Sequence, residues 1–111
     1  MDSILVTVKQ LLGISEDDDY FDPQIIALIN DALSTLAQLG VGPEDGFVIY
    51  DDSASWTDFL GETKLLESVK TYVYLSVKVV FDPPTSPSVV ESFNRKLDQL
   101  EWRLNARVDH D

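Results

Sequence analysis

Residues 62–82 run for 21 residues without a glycine or a proline, between Gly61 and Pro83. When these residues are placed on a helix, eight of them fill one arc of roughly 160° that is interrupted only by Ser76: Leu65, Leu66, Val69, Tyr72, Val73, Val77, Val79 and Val80. That arc is wider than one neighbouring helix would cover. The pattern therefore predicts a central helix that packs against more than one neighbour.

The second half of this segment also permits a strand. Between residues 73 and 81, apolar positions alternate with Tyr74, Ser76 and Lys78, which is a period of two. A helix is favoured because residues 62–70 have helical periodicity and no turn signal separates the two halves.

A short first helix is predicted over residues 4–12, which have a clear apolar face. Asp2 or Ser3 is available as its N-cap. Gly13 supplies the left-handed stop.

The next segment, residues 15–22, is acidic and is predicted to be a solvated linker. Asp22 is expected to cap a second helix that has Pro23 in its first turn and ends at Gly40. Apolar residues occupy an unbroken half of this second helix, so one face is predicted to be buried.

The interval of residues 40–61 is long for a connection between helices. It begins with turn residues, continues into the β-leaning residues 47–50, and predicts a short strand or an extended arm there. Residues 53–60 predict one or two helical turns, with Ser55 and Asp58 at the spacing of a capping box. The interval is either a packed excursion or an arm that binds a partner.

A last helix is predicted over residues 88–108, begun by Ser86-Pro87 or by a capping box of Ser88 and Glu91. Its apolar residues form a narrow stripe about 100° wide. Trp102 falls almost opposite that stripe. It is therefore either a partly covered surface residue or a contact with a subunit or partner.

Taken together, these elements predict an all-α fold: one domain over residues 1–111, with about four helices and a loop or short β excursion at residues 40–61. The formal charge of −12 in 111 residues disfavours tight binding to DNA or to an anionic membrane. With no cysteine, no signal-peptide pattern and no apolar run long enough for a bilayer, the protein is expected to be soluble and intracellular, or to be part of a particle assembled inside a cell.

The residues that usually carry metal or catalytic chemistry are sparse. The single histidine, His110, is next to the terminus, which argues against a histidine triad or metal cluster. Asp17, Asp19 and Asp22 suggest calcium, but the loop glycine and closing glutamate of a calcium loop are missing. We predict no metal and no cofactor.

Catalysis is also disfavoured. Neighbouring carboxylates such as Asp51 and Asp52 are able to perform acid-base work, but 20 acidic residues in the chain produce such pairs by density alone. No phosphate-binding glycine motif is present. The sequence predicts a protein that is not an enzyme.

The order of elements resembles the small head-tail connector (adaptor, or head-completion) proteins of tailed bacteriophages. The resemblance is carried by four segments and covers most of the chain: VKQLLGI, DDDYFD, VKTYVYLSVKVVFDPP and ESFNRKLDQLEWRLN. It implies a structural virion protein, assembled in the host cytoplasm, that forms a ring between portal and tail. Such a ring extends the DNA channel, lets DNA pass without specific binding, and docks neck or tail components.

The resemblance also implies contact surfaces. The C-terminal segment, residues 102–111, is expected to engage the portal, and aromatic residues that the bundle does not need are expected at subunit interfaces. The candidate interface residues are Phe47, Tyr50, Trp56, Phe59, Trp102, Arg103 and Arg107. The alternative function is an acidic regulatory or DNA-mimic protein that binds a basic host partner through its charge.

Overall fold

The computed structural model describes residues 2–109, and side chains through residue 106. It contains five helices in this range: α1 (Ile4–Leu12), α2 (Asp22–Gln38), α3 (Trp56–Leu60), α4 (Leu66–Phe81) and α5 (Pro87–Asp109). The only β pairing among the described residues is an isolated antiparallel bridge between Ser3 and Ser55. The all-α prediction is confirmed.

Helix α4 is the centre of the bundle and contacts α1, α2 and α5. The strand alternative for residues 73–81 is wrong, because this segment is helical throughout. Its apolar alternation arises because α4 is covered from more than one side, so that Val73, Leu75 and Val77 are all buried. The helix begins at Leu66, four residues later than predicted.

Helix α1 begins and ends as predicted. The Ser3 hydroxyl accepts a hydrogen bond from the Val6 amide at 3.2 Å. Gly13 ends the helix at φ 81°, and the amide of Ile14 donates to the carbonyl of Lys9 at 2.9 Å. This is the pattern of a Schellman motif.

The predicted cap of α2 is wrong. Phe21 is the N-cap residue, and no side chain caps the helix. Asp22 instead forms an ion pair with the buried Lys9, with Nζ and Oδ1 2.9 Å apart. Lys9 also donates to the carbonyl of Glu16 at 3.1 Å. The acidic linker is exposed but is tied to α1, because a buried ammonium group needs these oxygens.

The excursion between α2 and α4 packs on the bundle. Val41 and Ile49 are buried, and residues 47–50 form no strand. The capping box of α3 is confirmed: the Asp58 amide donates to the Ser55 hydroxyl at 2.9 Å, and the Ser55 amide donates to Asp58 Oδ2 at 3.1 Å.

Helix α5 begins at Pro87, which favours the Ser86-Pro87 start over the capping box at Ser88. It is buried chiefly in its second half, at Leu100 and Leu104. The Tyr72 hydroxyl of α4 donates to Glu101 Oε2 at 2.9 Å and fixes the two helices side by side. The narrow stripe leaves most of the surface of α5 open.

Candidate assembly surfaces

Two of the candidate interface aromatics lie inside the subunit. Trp56 has no exposed surface and Phe59 is 3% exposed, and both belong to the hydrophobic core. The indole Nε1 of Trp56 donates to the Thr7 hydroxyl at 3.1 Å. The expectation that the bundle does not need them is therefore wrong, because α3 and its excursion fold back onto α1.

Phe47 is half-buried and packs against Phe59, with ring centroids 5.2 Å apart. Only part of its surface is open to another molecule.

Tyr50 and Trp102 are the candidate aromatics that remain on the surface, 83% and 75% exposed. Arg103, next to Trp102, is also exposed. The side chain of Arg107 and the whole of His110 lie outside the described part of the structure.

Trp102 borders a cationic surface on α5. At 100° per residue, an arc of about 120° on this helix contains no acidic side chain. We call it the basic face, and all of its described large or polar members are exposed: Ser88, Ser92, Arg95, Lys96, Gln99, Trp102 and Arg103. The cations of this face form no ion pair within residues 2–106. The basic face was not predicted from the sequence, because the net charge of the whole chain is strongly negative.

An apolar groove opens between the end of α1, the start of α2 and the end of α4. It has a volume of about 560 Å³, and its apolar lining includes Leu12, Phe21, Leu28, Val80 and Phe81. Val80 is 63% exposed. Concave, mostly apolar clefts of this kind are common binding sites in soluble proteins.

An acidic cleft lies on the other side of the 15–22 linker. Its charged lining joins two acidic segments that are far apart in sequence: Glu16, Asp17, Asp19, Asp22, Asp51 and Asp52. Tyr50 also lines the cleft. Hydrogen bonds from the Ser53 hydroxyl and amide lower the pKa of the Asp51 carboxyl, which favours its charged form.

A comparison with protein families covers almost the whole chain. A family model described as "Phage connector protein" matches residues 4–111. The chain belongs to the phage connector protein family. Neither the search of curated proteins nor the search of solved structures gave a match.

Membership of the phage connector family gives the chain a structural role in the virion and implies assembly with phage head and tail components. It does not by itself assign surfaces to neighbours.

Two further properties concern the described residues alone. No helix within residues 2–109 is both long and apolar enough to cross a bilayer. No group of three or more metal-ligating side chains is close enough to hold an ion in the same range. Asp17, Asp19 and Asp22 instead line the acidic cleft.

Proposed function

We propose that this phage connector protein is a subunit of a ring that lies between portal and tail, extends the DNA channel and docks neck or tail components. The observation that carries the proposal is the family match over residues 4–111. The role is structural rather than catalytic. Assembly takes place in the host cytoplasm, and the ring becomes part of the neck of the virion.

The charge of the chain supports a channel through which DNA passes without adhering. A subunit of formal charge −12, repeated around a lumen, repels the phosphate backbone. The acidic cleft and the exposed acidic residues of the 15–22 linker are candidates for the lumen wall or for subunit contacts. A structure of the assembled ring with a neutral or basic lumen contradicts this part of the proposal.

The portal contact is expected in the C-terminal segment, residues 102–111, as the resemblance to head-tail connectors implies. The alternative of an acidic DNA mimic has no comparable support, because the family match favours a connector. A mimic is expected to act as a monomer or dimer and to bind a basic partner with steep salt dependence.

The test is native mass spectrometry and negative-stain imaging of the protein alone, of the portal protein of the same phage alone, and of their mixture. We expect rings, or a ring-shaped addition on the portal, in the mixture. Isolated monomers alone are compatible with the proposal, because binding of a partner can drive assembly. Absence of both rings and portal binding in the mixture overturns it.

A further inference from the structure

We infer that the basic face of α5 docks onto a second copy of this chain, with Trp102 in the apolar groove and the neighbouring cations against the acidic 15–22 linker. The inference rests on the proposed ring and names the subunit contact that would build it. It follows from two surfaces of one chain that complement each other.

The first surface is the basic face. Trp102 is 75% exposed, which leaves its large apolar ring system in water. Arg95 and Arg103 lie on the same arc, within two helical turns of it. Tryptophan and arginine are the residues most enriched among those that dominate binding energy at protein interfaces.

The second surface is the apolar groove, which has the chemistry to receive an indole. Phe21 and Phe81 meet edge to face with centroids 5.3 Å apart, and Tyr20 meets Phe21 in the same way at 4.8 Å. The volume of about 560 Å³ lies within the range of pockets that hold drug-sized ligands. A further aromatic ring would extend this edge-to-face series.

The charges beside the groove and beside Trp102 favour one alignment of the two surfaces. Phe21 lines the groove, whereas Asp19 and Asp22, one or two residues away, line the acidic cleft. Apolar and acidic features therefore adjoin on one surface, as Trp102 and its neighbouring cations adjoin on the other. Opposite charges around an apolar anchor favour this pairing and its orientation.

The two surfaces cannot meet within one subunit. The hydrogen bond between Tyr72 and Glu101 places Trp102 beside the first half of α4. The groove lies at residues 80–82, about 12 Å farther along that helix. A contact between two different patches repeats head to tail and closes into a ring when the rotation permits it.

The first experiment is photo-crosslinking, with benzoylphenylalanine in place of Trp102. Equal amounts of ¹⁴N- and ¹⁵N-labelled protein are mixed, alone and with the portal, so that crosslinks between copies are recognised by mass. We expect crosslinks to the peptides that contain Phe21 or Val80 of another copy. The same photoreactive residue in place of Asn94, which is exposed on a different side of α5, serves as the control.

The second experiment reverses charges. The variant R95E/R103E alters the basic face, and the variant D17K/D19K alters the acidic 15–22 linker. The carboxylates of Asp17 and Asp19 accept no hydrogen bond within the described chain. We expect each variant alone to self-associate about tenfold more weakly than wild type, which is the effect of about one lost charged contact. An equimolar mixture of the two variants restores association, because each contact between two unlike copies pairs opposite charges.

The outcomes separate this inference from the proposed function. Rings whose Trp102 crosslinks fall only on the portal, or outside the groove, overturn the subunit contact and leave the ring proposal standing. The subunit contact is also overturned, with the ring proposal standing, if the mixture of the two charge variants does not recover association although each variant is folded. Absence of both rings and portal binding overturns the proposed function together with the contact.

Discussion

The side-chain amide of Asn30 pairs with both backbone polar groups of Ile49. Its Nδ2 donates to the Ile49 carbonyl at 2.9 Å, and its Oδ1 accepts from the Ile49 amide at 2.8 Å. A single side chain on α2 thus takes the place of a neighbouring strand. This is why Ile49 is buried against α2 although residues 47–50 form no strand.

Replacement of Asn30 with alanine is expected to loosen the excursion. Two partly buried backbone groups would lose their partners, which costs about 1–3 kcal/mol of unfolding free energy. Hydrogen exchange at the Ile49 amide should accelerate, and urea unfolding should give the change in stability. Asn94→Ala, at an exposed position of α5, is the control and should change stability by less than about 0.5 kcal/mol. Equal effects of the two variants would contradict the pairing.

Gly42 is required both by its backbone conformation and by its neighbour. Its φ is 91°, and a Cβ atom there would lie 2.4 Å from Cε1 of the buried Phe59 ring. Gly42→Ala is expected to lower the unfolding free energy by about 2–4 kcal/mol, because overpacking adds to left-handed strain. Gly46→Ala, at φ 86° with open space around it, should show only the strain of about 1–2 kcal/mol. Similar losses at both sites would argue against the contact with Phe59.

The two tryptophans should differ in both spectrum and stability. Trp102→Phe leaves only the buried Trp56, and we expect blue-shifted emission that acrylamide quenches poorly, with a stability change below about 0.5 kcal/mol. Trp56→Phe leaves the exposed Trp102 and removes the hydrogen bond to Thr7. Red-shifted, quenchable emission and a loss of about 1–3 kcal/mol are expected. Fluorescence and urea unfolding of both variants check that Trp56 is buried and Trp102 exposed. Strong quenching of Trp56 by acrylamide would refute this.

Local signals explain what the sequence predicted well. The Ser3 cap, the Gly13 stop and the Ser55–Asp58 capping box each depend on residues within a few positions of one another. Such patterns are largely independent of the rest of the fold. Helix bounds therefore followed from the sequence to within a few residues.

Long-range packing explains what the sequence did not reveal. Trp56 is buried because it meets Thr7, 49 positions away, and no local pattern encodes that contact. The acidic cleft likewise joins residues 16–22 with residues 50–52. Asp22 does not cap α2 for the same reason, because its carboxylate forms an ion pair with Lys9 of another helix.

The Lys9–Asp22 ion pair should contribute far more to stability than the exposed pair of Lys78 and Asp82, although their N–O distances are 2.9 and 2.8 Å. Lys9→Met leaves a partly buried carboxylate without its cation. We expect a loss of about 1–3 kcal/mol, somewhat below the cost of breaking a fully buried pair. Lys78→Met should cost less than about 0.5 kcal/mol. Urea unfolding measures both, and Lys9→Met/Asp22→Asn should recover part of the first loss; a larger effect at Lys78 would reverse this ranking.

Tyr72 should make the bundle sensitive to alkali. Burial, followed by the hydrogen bond and charge of Glu101, raises the pKa of Tyr72 from its usual 10.0 to about 12. Because the folded state holds this proton more tightly than the unfolded state, the stabilisation is fully present below pH 10 and is lost as pH rises through about 12.

Tyr72→Phe has no phenol to ionise. Between pH 10 and 12, the unfolding free energy of Tyr72→Phe should therefore fall by about 2 kcal/mol less than that of the wild type. Glu101→Gln keeps an acceptor for the Tyr72 hydroxyl but removes the carboxylate charge. Since burial is the larger cause, this variant should retain most of the wild-type slope. Urea unfolding at a series of pH values from 8 to 12 measures the three slopes, and equal slopes for wild type and Tyr72→Phe would show that Tyr72 is not the responsible group.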